Sequence, residues 1–598
     1  MTASDSVERK GALAECGVNS SKKTRILEVT LPISCLSPTL TAGRLTYADI
    51  VSRRKTNFPR KDIYEILSQE SYLTSLDKLT FYILQQFILH NEVCFPEKQD
   101  GASYSASEYD VLSQVFIHSD LIPFRLTGNR AIPLAPSDYT EAASQNPRHG
   151  IVKRLRRIEN HPTLPSSLIT VQSDVADLRS ASCWANNTVC QGSSFNNLHN
   201  AELSALGEAY ERYCVNIIDP YKVVIGSANS LKRNGLTPVN PSDFVLFTPE
   251  QIHNFGGRFE GFHNETVTTW TTGKTFKGEE KLVPVSMVFV NHRRLQKLGD
   301  YPLPHINAPA YAGISAGRTV TSACVNALQE LMERHATMCW WHNPPHGVRL
   351  SVEKDSFIGN LVTEFENKGN VVSIVNIENR FHVPIYAATV LNVESGIVNT
   401  GFGCRLTNEA AILKALTEAC TLQAGSFDLL NPSGELFMAI ERGELWEGIA
   451  KPWRQDRRYL DYYLSDFSTM NDLMLQQQVY LDWRLLSRVR PWLFPQQTAR
   501  GYFYPDCHFE NLDDELNYYV KILDSMSLEP VMIDVTSPDV QTLQISVIRV
   551  IVPGLVPNFA VGDLHLGNHV IQNEPVLLGY QKEPTSLDKL NVYPLPHC

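Results

Sequence analysis

The sequence of 598 residues is short of several features that would place it in a specialised class. None of its 12 cysteines forms a C-x-x-C pair, which leaves zinc ribbons and iron–sulfur ladders without ligands. Scattered from Cys16 to Cys598, they read as reduced thiols of a cytoplasmic protein. The most apolar long stretch, Leu543 to Val561, is broken by Arg549, Pro553, Gly554 and Pro557, so no membrane span is expected. The first 21 residues carry Asp5, Glu8, Arg9 and Lys10 and lack the apolar core of a signal peptide. Positive charge is scarce as well. Lys and Arg number 53 against 64 Asp and Glu, and a net charge of −11 excludes general affinity for nucleic acid or acidic membranes. No P-loop G-x-x-x-x-G-K-[ST] occurs, and Gly401-Phe402-Gly403 lacks the third glycine of a dinucleotide fingerprint.

What remains is ordinary for a folded chain: 43% hydrophobic and 20% charged residues rule out wholesale disorder. The length predicts about three or four structural units. Residues 1 to 41 are polar and read as a tail. Residues 42 to 145 form a smaller α+β unit with a helix over Ile63–His90, a second periodic stretch from Ala106 to His118, and short strands with a turn over 121–130. Arg148, Lys153, Arg154, Arg156 and Arg157, followed by Pro162 and Pro165, read as a basic linker over 146–165. It is either a solvated connector or a contact for an acidic peptide. From 166 to 598 strands and helices alternate, which predicts a large α/β domain. Val371–Ile377 and Ile385–Val390 read as strands, and Leu203–Tyr213, Ala323–Trp341 and Glu409–Leu422 as helices.

One pattern occurs twice. Ala205 to Arg212 and Ala327 to Arg334 both read A-L-x-E-x-x-E-R, and a shorter copy stands at Ala415-Leu416-Thr417-Glu418. On a helix, Ser204, Glu208, Glu211 and Arg212 share an arc of about 100°. Leu206, Tyr210 and Tyr213 lie opposite. The second copy places Asn326, Glu330, Glu333 and Arg334 on one face in the same way. Taken singly, each would be a surface helix with an i,i+4 ion pair. Repetition changes that reading, because converging faces would gather five carboxylates against Arg212, Arg334 and Lys414. Such a cluster needs more cations to stay ionised. Hard divalent ions such as Mg²⁺, with oxygen ligands and nucleotide phosphates, would supply them.

At these residues the sequence resembles the YcaO family. The matching blocks are Glu208 to Tyr213, Ser315-Ala316-Gly317 through Arg334, and Gly401-Phe402-Gly403 with Glu409 through Ala419. The strand Arg549 to Leu555 resembles the R-V-x-V-P-G-L strand of the peptide-modifying branch. The resemblance implies a YcaO-type ATP-binding fold and Mg²⁺ held by Glu208, Glu211, Glu330, Glu333 and Glu418. It implies nucleotide contacts from Ser204, Arg212, Ser315, Arg334 and Lys414, alongside the Glu side chains. It also implies ATP-driven activation of backbone amides in a ribosomally made peptide, with Cys, Ser or Thr closing to azolines. Thioamide or amidine formation, amide cleavage, and a degenerate scaffold protein stay open as alternatives. A ribosomal precursor peptide and a separate leader-binding protein are the implied partners, with a homodimer among the assemblies allowed. The tail Tyr593-Pro594-Leu595-Pro596-His597-Cys598 resembles the Pro-rich ends of cyclodehydratases, which assigns the Cys598 terminal carboxylate, with Glu330 and Glu418, to catalysis. Departures from the pattern are Gly192-Ser193-Ser194 in place of G-K-G, Arg318 in place of Asn, Ser322 in place of an acid, and Thr421-Leu422-Gln423 in place of Q-x-R. The string Tyr-Pro-Leu-Pro-His also occurs at 301–305.

Overall fold

The computed structural model describes residues 151–175, 189–218, 222–297, 300–443, 445–537, 540–541 and 543–597, with three short strands between 115 and 133. Those strands, β1 (Val115–Ile117), β2 (Pro123–Thr127) and β3 (Arg130–Pro133), form one antiparallel sheet in sequence order. Two of them coincide with the strands and turn expected over 121–130. The first is a strand at the end of the stretch read as helically periodic. The helix expected at 63–90 lies outside the described residues.

The basic linker is a correction. Residues Val152–Ile158 are strand β4, paired antiparallel with β5 (Leu168–Val175), which in turn pairs with β6 (Val189–Phe195). Ile151 and Val152 are fully buried and Leu155 packs on the same core, while Arg154 reaches Asp174 on the neighbouring strand at 2.7 Å. The cations therefore decorate a strand whose apolar positions are anchored, and a charge run alone does not reveal that.

A six-stranded sheet has the order β10-β17-β16-β8-β7, with β9 paired to β8. Its strands are β7 (Val223–Gly226), β8 (Thr268–Thr275), β9 (Glu280–Pro284), β10 (Ile314–Gly317), β16 (Val531–Asp534) and β17 (Ser546–Ile551). A five-stranded sheet runs β14-β13-β12-β11-β15. It contains β11 (Val348–Ser351), β12 (Asn370–Asn376), β13 (Ile385–Asn392), β14 (Val398–Cys404) and β15 (Thr498–Arg500). All pairings in these two sheets are antiparallel except β11 with β15.

Three strand-then-helix units dominate the architecture: β6 leads into α1 (Leu198–Val215), β10 into α2 (Val320–His342), and β14 into α3 (Asn408–Asp428). Each helix begins with a side-chain cap, from Asn197, Thr319 and Thr407, that satisfies an orphan amide of the first turn. The strands carry glycine where the helices cross closest. A methyl group on Gly192 would overlap the Ala201 carbonyl, and one on Gly401 would overlap the Ala415 carbonyl. Ala201 and Ala205 on α1, and Ala415 and Ala419 on α3, are fully buried at these crossings, so helix backbone lies almost against strand backbone. Helix α2 packs on β10 and β17 of one sheet and on β14 of the other. That position buries Trp340 and Trp341 completely, because apolar side chains are met on several sides. Two further helices, α4 (Leu473–Val479) and α5 (Leu512–Ser525), flank α3 and α2 respectively. Among the described residues no helix is long and apolar enough to cross a membrane.

Candidate active site

The three strand-then-helix units bring the five glutamates against the main chain of the strands or of the residue just before one, and each carboxylate accepts one main-chain amide. Glu208 accepts from Gln191 at 2.9 Å, Glu211 from Ala316 at 2.7 Å and Glu330 from Gly313 at 2.9 Å. Glu333 accepts from Cys404 at 2.9 Å and Glu418 from Phe402 at 2.6 Å. One oxygen of each group is thereby fixed by rigid backbone, a charge-assisted contact that also orients the other oxygen. The predicted cations stand among them. Arg212 lies 3.5 Å from Glu208, and Lys414 donates to Glu333 at 2.8 Å. Arg334 lies 3.4 Å from Glu418 and 3.7 Å from Glu333. Ser315 is nearly buried on β10, with its hydroxyl 3.3 Å from the Ala316 carbonyl, whereas Ser204 is exposed on α1. Cys598 lies outside the described residues.

Electrostatics divides the cluster. Burial pushes Glu211 up to about 8, and the neighbouring Glu330 and Glu208 add to the rise. The Ala316 amide and Arg212 oppose that rise without overcoming it. At the other end burial also works to raise Glu418, but Lys414, Arg334 and the Phe402 amide outweigh it and hold the carboxyl well below its usual range. Glu333 is fully buried, and its Oε1 has no hydrogen-bond partner among the described residues. The Arg334 guanidinium, 3.7 Å away, compensates that oxygen's charge without making a hydrogen bond to it.

Two participants stand outside the predicted site set. His597, which the tail offered as a secondary participant, is 2% exposed and enters the cluster. Its Nε2 accepts from Arg334 at 3.0 Å and its Nδ1 donates to the Thr400 carbonyl at 3.1 Å, a pattern that needs a neutral ring. Burial keeps it neutral by lowering its pKa to about 4. The tail leading to it is held by Trp341 at the Tyr593 carbonyl, Tyr480 at the Pro594 carbonyl, and the Thr400 amide at the Pro596 carbonyl. Arg549 is the second. It was read only as part of a strand, yet its guanidinium is buried, donates to the Met287 and Tyr311 carbonyls, and faces Glu330. No local signal separates such an arginine from a surface one.

At Ser193, the position of the family lysine, the hydroxyl pairs with Thr170 and Thr421 at 3.1 Å each, tying β5 and β6 to α3. A family model described as YcaO cyclodehydratase, ATP- and Mg²⁺-binding, matches residues 195–556. The chain belongs to the YcaO family. Among solved structures, a heterocyclase in complex with substrate and cofactor is 16% identical, with a TM-score of 0.60 over the whole of this chain and 84% of that one. The heterocyclase TruD is 15% identical, with a TM-score of 0.51 over the whole of this chain and 83% of its own. At those identities the likeness establishes the YcaO heterocyclase fold. No curated protein sequence matches this one.

As a YcaO cyclodehydratase the chain binds ATP and Mg²⁺. The residues present fit that pair. The donor set is all oxygen, as a hard ion requires, and the buried Oε1 of Glu333 has no hydrogen-bond donor among the described residues.

Proposed function

We propose that Glu208, Glu211, Glu330, Glu333 and Glu418 hold Mg²⁺, and that Ser204, Arg212, Ser315, Arg334 and Lys414 contact ATP. The reaction proposed is activation of backbone amides in a ribosomally made peptide, with Cys, Ser or Thr side chains closing to azolines. The single observation behind this reading is the repeated geometry of five carboxylates, each accepting one main-chain amide on or beside the strands that lead into the three helices. Bound Mg²⁺ would neutralise phosphate charge, as in other phosphoryl transfers where positioning and charge compensation carry most of the catalysis. ATP is the co-substrate and leaves as ADP: the side-chain sulfur or oxygen bonds to the amide carbon, the amide oxygen departs with the transferred terminal phosphoryl group as phosphate, and the amide N–H loses its proton as the ring C=N forms.

The chain's own groups have separable tasks in this scheme. Lys414 and Arg334 already face carboxylates from α2 and α3, so they are placed to share their charge with phosphate oxygens. Arg549, locked by two carbonyls, supplies fixed positive potential beside Glu330. The anchored tail brings His597 into the same cluster. Neutral His597 positions Arg334 through their hydrogen bond. Residues 42–145 are assigned to recognition of the precursor or of a separate leader-binding protein.

Peptide-dependent phosphate release, followed by mass spectrometry of the peptide, tests the reading. Loss of one water for each modified residue is expected. A mass change diagnostic of sulfur incorporation or chain cleavage would replace the azoline assignment, and no peptide-dependent release would return the chain to a scaffold role.

A further inference from the structure

A cavity of about 270 Å³ lies beside the glutamate cluster, lined in part by Gln329 on α2, Arg405 and Thr407 before α3, Cys507 and Phe509, and Glu515 on α5. None of its lining residues belongs to the proposed metal or nucleotide set, yet the chain ties it closely to that set. Gln329 stands one turn before Glu333 on the same helix, and Arg405 follows Cys404, whose amide holds Glu333. Its walls are built rather than incidental. The loop carrying Cys507 is pinned to the start of α3, because the Cys507 amide donates to the Leu406 carbonyl at 3.0 Å and Asp506 accepts from the Asn408 amide at 2.8 Å.

The polar groups of the cavity are unequally satisfied. Gln329 is 3% exposed, and its Nε2 donates to Glu515 at 3.1 Å and to the Tyr519 hydroxyl at 3.0 Å. Those contacts fix the orientation of the amide and leave its Oε1 with no partner among the described residues. A buried acceptor of this kind calls for a donor from a ligand or from water. Beside it, Arg405 has spent one nitrogen on the Cys404 carbonyl at 2.6 Å and keeps further N–H groups for an acceptor. A peptide amide offers both a donor N–H and an acceptor C=O, and a peptide is the substrate class proposed above. The volume supports a partial occupant. It falls under the roughly 300–1,000 Å³ of sites that enclose a whole drug-sized ligand, so it suits one segment of a longer molecule.

We propose that this cavity is a subsite for the substrate peptide. A main-chain N–H of a residue flanking the reacting amide would go to Gln329 Oε1, and a main-chain carbonyl to Arg405. The exposed Phe509 ring would pack on the side chain between them. This rests on the amide-activating function proposed above. It goes further by naming residues that fix where along a peptide the reaction occurs.

Cys507 provides the test, since among the described cysteines it is the one that is not fully buried. The full-length wild-type protein is alkylated with iodoacetamide, and labelling at Cys507 is followed by mass spectrometry. Three conditions are compared: no ligand, Mg²⁺-ATP alone, and Mg²⁺-ATP with millimolar acetyl-Gly-Ser-Gly-Thr-Gly amide. Phosphate release is read in the same samples. The peptide should slow Cys507 labelling several-fold, and Mg²⁺-ATP alone should not. In Arg405→Met the protection should fall, and the peptide KM should rise about tenfold with kcat and the ATP KM unmoved, the expected loss for one charge-assisted hydrogen bond. Protection by Mg²⁺-ATP alone would assign the cavity to the nucleotide and overturn the proposal. So would unchanged labelling in the presence of peptide. In that case the phosphate readout shows separately whether amide activation itself stands.

Discussion

Replacing Glu211 by Gln should change the stability of the metal-free protein in a pH-dependent way. Burial, with Glu330 and Glu208 adding to it, raises the Glu211 carboxyl from 4.5 to about 8, against the opposing pull of the Ala316 amide and Arg212. Between those two values the folded chain keeps a proton that the unfolded chain has released, so stability falls as pH rises and levels off above about 8. At about 1.4 kcal/mol per pKa unit the loss is capped near 5 kcal/mol, and solvent reaching the half-buried group reduces it to about 2–3 kcal/mol. Glutamine keeps an acceptor for the Ala316 amide but never ionises. The variant should therefore match wild type near pH 4.5 and exceed it at pH 8. With an unfolding entropy of about 2.1 cal/mol/K per residue over the folded domain, that excess corresponds to roughly 2–3 °C in Tm. Scanning calorimetry in EDTA at both pH values reads the difference. Added Mg²⁺ and ATP should reverse the order at pH 8, because ligand at about 1,000 times its Kd stabilises wild type by about 4.1 kcal/mol and the variant by little. A variant less stable than wild type at pH 8 in EDTA, or a difference independent of pH, would refute the argument.

Glu333→Gln should lower peptide-dependent phosphate release at least about 100-fold, since a lost ligand should cost no less than a lost outer-shell partner. Its cost to the apo fold should stay near 1–2 kcal/mol, because Lys414 is partly exposed and keeps the Phe402 carbonyl at 3.3 Å; denaturant titration checks this. Deleting Pro594–Cys598 removes the buried Leu595 and the contact of His597 with Arg334, so peptide conversion should fall strongly while Mg²⁺-ATP affinity by calorimetry falls by no more than about tenfold, the share owed to the lost positioning of Arg334. An equal loss of ATP affinity would show instead that the tail shapes the nucleotide site. Gly401→Ala should cost about 3 kcal/mol or more, because its methyl group meets α3 backbone rather than a side chain that can yield. A Tm near wild type would mean that α3 can slide away from β14.

The sequence by itself determined the three glutamate helices and the strands at 371–377 and 385–390. Their apolar spacing and capping residues are local properties, and the structure extends each helix by only a few residues at either end. It also placed Glu208, Glu211, Glu330, Glu333 and Glu418 on polar faces, since helical periodicity dictates which side chains share a face. Tertiary structure decided the rest. Which oxygen each glutamate has left depends on amides of Gln191, Ala316, Gly313, Cys404 and Phe402, and three of those five amides lie on a different strand-then-helix unit or beyond the helix's own strand. The basic run at 153–157 became a strand because its few apolar positions met a core that local charge does not predict. His597 and Arg549 reached the cluster from 263 and 219 residues beyond Arg334 and Glu330, through a docked tail and a central strand. Periodicity reports what one segment can bury. Contacts across hundreds of residues form only when separate segments compete for the same buried space, and that competition is settled in three dimensions.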